Sequence, residues 1–310
     1  MTRVAINGLG RIGRCFLRTA WGDPSLEIVA INDVGNIDNV AYLLKHDSVY
    51  HTAPFEVSVA NGKLVIDGKE ITCVSEREPS KLPWKDLNID VVVESTGIFD
   101  SYEMANAHVT AGAKRVVITA PVKDEMAGAA TVLVGVNEDK LKNITVSSNA
   151  SCTTNSASPV IAILDAALGI EKALLNTTHS YTSTQSIVDS PVKGEDFRRG
   201  RAAAQNMAPS STGAAIAVTK AYEQLTGKFD GIAVRVPTPA GSIADITFIS
   251  KRDTTKEEVN KILEDASNDP RWKGIFAVTK EPVVSSDIIG RPEGSIADLG
   301  LTRVVGGNLV

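Results

Sequence analysis

One cysteine of the sequence has surroundings that favour a reactive thiolate. Cys152 lies in the run SSNASCTTN at residues 147–155, where a predicted strand ends and a predicted helix begins. A thiol in the first turn of a helix is close to free N–H groups and to the positive end of the helix dipole, both of which favour its ionised form. His179 ends a later predicted strand and could serve as its base or ion-pair partner. The two residues predict nucleophilic chemistry at sulfur.

The other cysteines and histidines are expected to have no chemical role. We interpret Cys15 and Cys73 as small buried apolar residues, and three widely spaced cysteines predict no disulfide framework. His46, His51 and His108 are expected at the surface, and no bound metal is expected.

A glycine triplet follows the first predicted strand. Gly8, Gly10 and Gly13 have the spacing G-x-G-x-x-G and open the first predicted helix. Glycine permits a tight turn and a close approach of the backbone to a pyrophosphate, whose charge is favourable at a helix N-terminus. Asp33 ends the next predicted strand about twenty residues later, where a carboxylate can bind an adenosine ribose and repels a 2′-phosphate. The pattern favours a dinucleotide site that prefers NAD to NADP.

Two further places could bind an anion. Hydroxyl residues at 210–212 precede the predicted helix 214–222, so its N-terminus has N–H and O–H donors. Arg235 ends a predicted strand and could direct its guanidinium into a site. The basic residues between 198 and 201 are too few for a nucleic-acid site. Either a solvated or inter-subunit face, or a contact with a substrate phosphate, would explain them.

Length and composition limit the classes of protein to which the chain could belong. A chain of 310 residues favours two domains, because one hydrophobic core rarely grows beyond about 250–300 residues. With 43% hydrophobic and 22% charged residues, wholesale disorder is excluded. A net charge of −5 without long charged runs argues against nucleic-acid or membrane partners. No signal peptide or membrane-spanning stretch is evident, so we expect a cytoplasmic protein.

The order of predicted elements changes near residue 149. Before it, short apolar strands alternate with helices, which predicts an α/β, Rossmann-type domain with a mostly parallel sheet over residues 1–149. After it, longer alternating strands predict a second α+β domain with a mainly antiparallel sheet over residues 150–310. Within that domain, residues 183–211 lack a clear period and are expected to form a functional or inter-subunit loop. Residues 302–310 read as a strand, a Gly306-Gly307 turn and three residues of a return strand, which suggests a truncated hairpin.

The sequence contains a series of motifs in the order NGLGRIGR, INDVG, ESTGIF, SNASCTTN, THSYT, RAAAQN, PSSTGAA and RVPTP. In these motifs the chain resembles the phosphorylating glyceraldehyde-3-phosphate dehydrogenases, and the match runs from residue 2 to residue 310. SNASCTTN alone is highly specific. The resemblance implies that Cys152 attacks the aldehyde to give a thiohemiacetal and that His179 raises its nucleophilicity and takes the hydroxyl proton. Hydride then passes to NAD, and inorganic phosphate attacks the thioester to release 1,3-bisphosphoglycerate.

The resemblance also implies binding residues. The attacking phosphate would contact Ser151, Thr153, Thr212 and Gly213. The phosphate of glyceraldehyde 3-phosphate would contact Thr182, Arg235 and Arg199, although an extra residue around 193–196 complicates the match of Arg199. The cofactor would contact Gly8, Gly10, Arg11, Ile12, Gly13, Asp33, Arg77, Thr96 and Thr119. Residues 183–211 would be the family's S-shaped loop, which packs against a neighbouring subunit of a homotetramer.

Alternatives to this interpretation remain open. Ser190 stands where NAD-specific members often have a larger apolar residue, so a variant that uses NADP is one alternative. Erythrose 4-phosphate is an alternative substrate for the same chemistry. The family's closing C-terminal helix is absent from the sequence, so a truncated NAD-binding protein without activity is a third.

Overall fold

The chain divides into two compact units. The structure, a computed structural model, describes residues 1–192 and 194–310. The first unit comprises Met1–Val132 and Asp139–Ala150, and the second comprises Leu133–Glu138 and Ser151–Val310. The range 193–196, where an extra residue relative to the family was expected, lies partly outside the described residues, because Lys193 is not among them.

The first unit is built on a large, mostly parallel sheet. Its strands are β1 (Thr2–Asn7), β2 (Leu26–Asn32), β3 (His46–Asp47), β4 (His51–Thr52), β5 (Val57–Ala60), β6 (Lys63–Ile66), β7 (Lys69–Val74), β8 (Val91–Glu94), β9 (Arg115–Ile118), β10 (Ala129–Thr131) and β11 (Val146–Ser148). Nine of them form one sheet in the order β10-β11-β9-β8-β1-β2-β7-β6-β5, while β3 and β4 pair separately. From β10 to β7 in this order, each strand pairs parallel with the next. The pairs β7–β6 and β6–β5 are antiparallel. The predicted α/β, Rossmann-type class is confirmed.

Helices and apolar side chains cover both faces of this sheet. The helices are α1 (Arg11–Ala20), α2 (Ile37–Lys45), α3 (Tyr102–Ala105) and α4 (Ala107–Thr110). On one face, Leu17 of α1 and Leu44 of α2 pack against buried strand residues. On the other face, Trp84 and Tyr102 belong to a second buried cluster. Burial on both faces explains why the central strands read as continuous apolar runs.

The dipeptide Asn61-Gly62 stands between two strand-like stretches and predicts a hairpin, and in the structure it forms a hairpin turn. It connects β5 to β6, which pair antiparallel. Both residues have positive φ, 52° for Asn61 and 72° for Gly62, as a tight hairpin turn of this type requires.

The second unit combines helices with a smaller, mainly antiparallel sheet. Its described helices and strands are α5 (Cys152–Leu168), β12 (Ile170–Ser180), β13 (Ala208–Ser211), α6 (Ala214–Ala221), β14 (Phe229–Val236), β15 (Ser242–Ser250), α7 (Lys256–Ser267), β16 (Phe276–Thr279) and β17 (Ser295–Asp298). Four strands form a sheet in the order β13-β14-β12-β15, in which only β12 and β14 are parallel. The predicted mainly antiparallel sheet is confirmed. Short 3₁₀ turns in the chain occupy Pro79–Lys81, Glu138–Asn143, Phe197–Gly200, Glu223–Leu225, Pro270–Trp272 and Leu299–Leu301.

The last residues extend the four-stranded sheet. The chain turns at Gly306 and Gly307, both with positive φ, so the predicted turn is present. Val305 and Leu309 exchange two backbone hydrogen bonds of 2.8 and 3.1 Å. The return arm also pairs with β15, since Val310 exchanges hydrogen bonds of 2.8 and 2.9 Å with Phe248. The predicted strand over 302–305 is thus reduced to a single bridge.

The surface position predicted for His108 is wrong. His46 and His51 are exposed, but His108 is 0% exposed, within the cluster that contains Trp84. Its ring nitrogens bind Trp84 and Glu94, so its polar groups are satisfied away from water.

Within residues 1–192 and 194–310, no helix has the length and apolar character needed to cross a bilayer. The same residues contain no group of three or more His, Cys, Asp or Glu side chains arranged to hold a metal ion.

The glycine turn after β1 gives a stability prediction. A Cβ on Gly13 would lie 2.1 Å from the Gly8 carbonyl oxygen and 2.8 Å from Ser95 Oγ, whereas a Cβ on Gly10 would have no atom within 4 Å. We expect Gly13→Ala to lower the free energy of unfolding by roughly 1–3 kcal/mol, because the backbone must shift. Gly10→Ala should change it by no more than about 0.5 kcal/mol. Urea denaturation of both variants without nucleotide measures the difference, and equal stabilities would contradict the packing described here.

Candidate active site

Cys152 is the first residue of helix α5. Ser151 caps the helix, with its hydroxyl accepting a hydrogen bond of 3.1 Å from the Thr154 N–H. Ala150 precedes the cap with a φ of +56°, a left-handed conformation that is costly for a residue with a Cβ. Cys152 is exposed at the start of the helix, the position that the sequence predicted for it.

The imidazole of His179 lies beside the sulfur. His179 is near the end of β12, and its Nε2 is 3.2 Å from Cys152 Sγ. Its Nδ1 is 2.7 Å from the Ser180 carbonyl oxygen. A carbonyl oxygen only accepts hydrogen bonds, so this contact is a hydrogen bond when the ring proton is on Nδ1. In that tautomer Nε2 presents its lone pair to the thiol and can take its proton.

The surroundings of Cys152 lower the pKa of its thiol. Desolvation by the surrounding protein raises this pKa, but the hydrogen bond and the charge of His179 oppose it. The N–H and hydroxyl of Thr153 add further hydrogen bonds that favour the thiolate. The result is a pKa below the ordinary value for cysteine, as nucleophilic chemistry near neutral pH requires. In contrast, burial raises the pKa of both Cys15 and Cys73.

Arg235 is the closest cation to this pair. It lies on β14, directly opposite His179 of the parallel strand β12. Its Nη1 donates to the Ser180 carbonyl oxygen at 3.1 Å and lies 2.8 Å from His179 Nδ1. Its Nε is buried and has no hydrogen-bond partner. Burial, and then the charge of Arg199, lower the pKa of Arg235. A bound anion would satisfy both the charge and the orphaned N–H.

Arg199 is held by groups that sequence reasoning missed. Its Nε donates to Asp196 Oδ2 at 3.0 Å, and its Nη1 donates to Thr184 Oγ1 at 2.7 Å. Its Nη2 donates to Ser210 Oγ at 3.3 Å, which in turn donates to Asp196. Thr182 adjoins this cluster through a 3.0 Å contact between its hydroxyl and that of Thr184. The close spacing of Asp196 and Arg199 in sequence is the one signal that could have indicated their ion pair.

The hydroxyl residues predicted to bind the attacking phosphate occupy two helix N-termini. Ser151 and Thr153 flank Cys152, with Ser151 Oγ 2.7 Å from Thr154 Oγ1. Gly213 caps α6, and Thr212 Oγ1 accepts a 3.1 Å hydrogen bond from Ala214 N–H. In the described part of the chain, no hydrogen bond joins Thr212 or Gly213 to Cys152 or His179. The residues at the start of α5 and those at the start of α6 are therefore held by separate hydrogen bonds.

The residues predicted to bind the cofactor all follow the carboxyl ends of parallel strands in the first unit. Those ends meet at one edge of a parallel sheet, where ligands of open α/β sheets bind. The strands concerned are β1, followed by Gly8, Gly10, Arg11, Ile12 and Gly13; β2, followed by Asp33; β7, followed by Arg77; β8, followed by Thr96; and β9, followed by Thr119.

The glycine turn has the shape that a pyrophosphate needs. Gly10 caps α1 without a side-chain hydrogen bond, and no acidic residue stands in the first turn of the helix. The space beside Gly10 is open, so a phosphate could approach the helix N-terminus closely. Asp33 supports the turn, because its Oδ2 accepts a 2.7 Å hydrogen bond from Leu9 N–H. Arg11 forms an ion pair with Asp47, and Ile12 is exposed.

Comparison with known proteins assigns the chain to a family. Residues 151–310 match the family model described as glyceraldehyde 3-phosphate dehydrogenase, C-terminal domain. Residues 2–102 match the model described as the NAD binding domain of the same enzyme. The chain belongs to the glyceraldehyde-3-phosphate dehydrogenase family. It is therefore an NAD-dependent oxidoreductase, and NAD is its cofactor.

Curated glyceraldehyde-3-phosphate dehydrogenases match nearly the whole chain. The Thermotoga maritima enzyme is 50% identical, over 100% of this chain and 92% of its own length. The Candida glabrata enzyme 1 is 48% identical over 96% of this chain and 89% of its own length. The Streptomyces coelicolor enzyme is 46% identical over 99% of this chain and 91% of its own length.

The Cys152–His179 geometry predicts a pH-dependent reactivity. His179→Asn should move the midpoint of Cys152 alkylation by iodoacetamide to higher pH, since the variant loses a hydrogen bond and a charge that favour the thiolate. Turnover should fall by roughly 10²–10⁴-fold if the imidazole is also the base. The rate of alkylation is measured as a function of pH from the mass of the peptide that contains Cys152, and the midpoints of the two curves give the shift. His46→Asn, at an exposed histidine, serves as the control, and an unchanged midpoint in His179→Asn would remove His179 from this role.

Proposed function

We propose that this chain is a glycolytic, phosphorylating dehydrogenase that oxidises glyceraldehyde 3-phosphate with NAD and inorganic phosphate to 1,3-bisphosphoglycerate. The observation that carries the proposal is the 3.2 Å contact between Cys152 Sγ and His179 Nε2 at the start of α5, in a member of this family.

The two residues would act in sequence on a covalent intermediate. The Cys152 thiolate forms a bond to the aldehyde carbon, and the His179 imidazolium gives its proton to the resulting alkoxide. The neutral imidazole then takes the thiohemiacetal hydroxyl proton as the C–H bond breaks. Bound NAD supplies the acceptor for the hydride. The thioester left on Cys152 keeps the energy of the oxidation until a phosphate oxygen attacks its carbonyl carbon and the thiolate departs.

Two anion sites would orient the phosphates. The orphaned Arg235 Nε and the nearby charge of Arg199 support binding of the substrate phosphate, together with Thr182. The attacking phosphate would bind Ser151 and Thr153 at the start of α5, with Thr212 and Gly213 at the start of α6. Helix N-termini with hydroxyl donors favour such anions.

The first unit would bind the cofactor through the strand-end residues described above. We assign residues 1–149 to the NAD-binding domain and residues 150–310 to the catalytic domain. Residues 133–138 group with the second unit and are an exception to this division. Asp33 would accept hydrogen bonds from the adenosine ribose and would repel the 2′-phosphate of NADP.

Exposed apolar side chains support a homotetramer. Leu174, Ile232 and Ile243 lie on one face of the four-stranded sheet, each more than half exposed. In the loop 183–211, Ile187 and Phe197 are even more exposed. Several large apolar side chains exposed on one face are typical of subunit interfaces. We further propose that the protein acts in the cytoplasm.

The proposed reaction predicts an absorbance assay. The chain should form NADH from glyceraldehyde 3-phosphate and NAD, with sustained turnover only when inorganic phosphate is present. It should turn over more slowly with erythrose 4-phosphate or NADP. Cys152→Ser should abolish turnover while NAD binding, measured by calorimetry, stays within about twofold. Cys73→Ser, at a half-buried cysteine outside the site, is the matched control. Phosphate-independent turnover, or activity retained in Cys152→Ser, would refute the proposal.

A further inference from the structure

A buried carboxylate outside the catalytic pair connects the strand ends of the first unit. Glu94 ends β8 and is 2% exposed. Its Oε1 accepts hydrogen bonds from both the N–H and the hydroxyl of Thr96, the former at 2.8 Å. Its Oε2 accepts from Asn7 Nδ2 and contacts His108 Nε2 at 3.0 Å. Both oxygens are fully occupied away from water.

The protonation of His108 is determined by Trp84. The indole Nε1 of Trp84 lies 2.9 Å from His108 Nδ1, and an indole N–H can only donate. His108 Nδ1 is therefore an acceptor, so the proton of the neutral ring is on Nε2 and points at Glu94. The hydroxyl of Thr96 accepts from Ile98 N–H at 3.0 Å, which leaves its own proton for Glu94. Four donors thus converge on one acceptor-only group.

The loop after Glu94 supports the glycine turn. A Cβ on Gly8 would lie 2.9 Å from both N and Cα of Thr96, so the two backbones are in close contact. Ser95 Oγ donates to the Gly8 carbonyl oxygen at 2.6 Å. Displacement of residues 95–96 would therefore displace the turn that receives the pyrophosphate.

The same hydrogen-bond network reaches the segment before Arg77. Asn7 Oδ1 accepts from Asn32 Nδ2 at 2.6 Å, which fixes the orientation of both amides. Asn32 Nδ2 also donates to the Glu76 carbonyl oxygen at 2.8 Å, and Asn32 Oδ1 accepts from Glu76 N–H at 2.8 Å. The network thereby connects the ends of β1, β2 and β8. It also connects three segments that carry predicted cofactor contacts: the glycine turn, residues 95–96 and the segment around Arg77.

We propose that Glu94 is a positioning residue for the dinucleotide site. Its carboxylate holds Thr96 and Asn7, and through them the shape of the glycine turn and the segment before Arg77. The inference rests on the proposed function in one respect, since NAD is taken as the ligand of that turn.

Replacement by glutamine would break this arrangement without changing the size of the side chain. A glutamine amide has one acceptor and one donor end. If the donor end faces Asn7 and His108, it meets two donors whose orientations are fixed by Asn32 and Trp84. If it faces Thr96, the backbone N–H of Thr96 loses its acceptor. Either orientation disturbs the network at a buried point, where an unpaired donor is costly.

The test compares Glu94→Gln with Glu103→Gln in the full chain. Glu103 is an exposed glutamate of α3, so its variant controls for the change of charge. We expect the Kd for NAD, measured by calorimetry, to rise about tenfold or more in Glu94→Gln and to stay within twofold in Glu103→Gln. The KM for NAD should rise in parallel while kcat at saturating NAD stays within about threefold. Alkylation of Cys152 without nucleotide should be unchanged.

Amide hydrogen exchange gives a second measurement. In the folded wild-type chain without nucleotide, the Thr96 amide should be strongly protected, and Glu94→Gln should lose that protection. Rapid exchange at Thr96 in the wild-type chain would overturn the proposal even if the variant failed to fold. An unchanged Kd in a folded Glu94→Gln would overturn it as well. Failure of the wild-type chain to bind NAD would instead refute the proposed function, and the exchange result would still decide the role of Glu94.

Discussion

The chemistry proposed for the second unit depends on one contact, the 3.2 Å between His179 Nε2 and Cys152 Sγ. With the ring proton on Nδ1, which lies 2.7 Å from the Ser180 carbonyl oxygen, the lone pair of Nε2 faces the sulfur. The parallel pairing of β12 with β14 brings Arg235 to the same carbonyl, so a cation lies beside the imidazole. A shift in the pairing of these strands would move Arg235 away from His179 and from the Ser180 carbonyl.

The first unit uses the same physical principle for a different purpose. Acceptor-only and donor-only groups leave each neighbour a single orientation, as Trp84 does for His108 and as Glu94, at the end of β8, does for Thr96. Buried polar networks of this kind are rigid when every member is satisfied. In the first unit this rigidity supports a turn on which a pyrophosphate could bind, whereas in the second unit the contacts of His179 place its ring beside the proposed nucleophile.

The sequence predicted features that depend on local chemistry. Strand–helix alternation indicated the parallel sheet, Asn61-Gly62 indicated a hairpin, and the predicted helix start near Cys152 is where α5 begins. The sequence did not predict features that depend on partners far apart in the chain. His108 looked like a surface residue because its partners Trp84 and Glu94 are separated from it in the chain and meet it only through sheet order. The acceptor role of Asp196 likewise depends on the conformation of a loop without a regular period.

Trapping of the covalent intermediate tests whether Cys152 is the nucleophile. The chain is mixed with glyceraldehyde 3-phosphate and NAD without phosphate, quenched in acid, and digested for mass spectrometry. The peptide containing Cys152 is expected to carry the 3-phosphoglyceroyl group, and added phosphate is expected to remove it. A stoichiometric burst of NADH with the acyl group on Cys15 or Cys73, or on no cysteine, would contradict this role of Cys152.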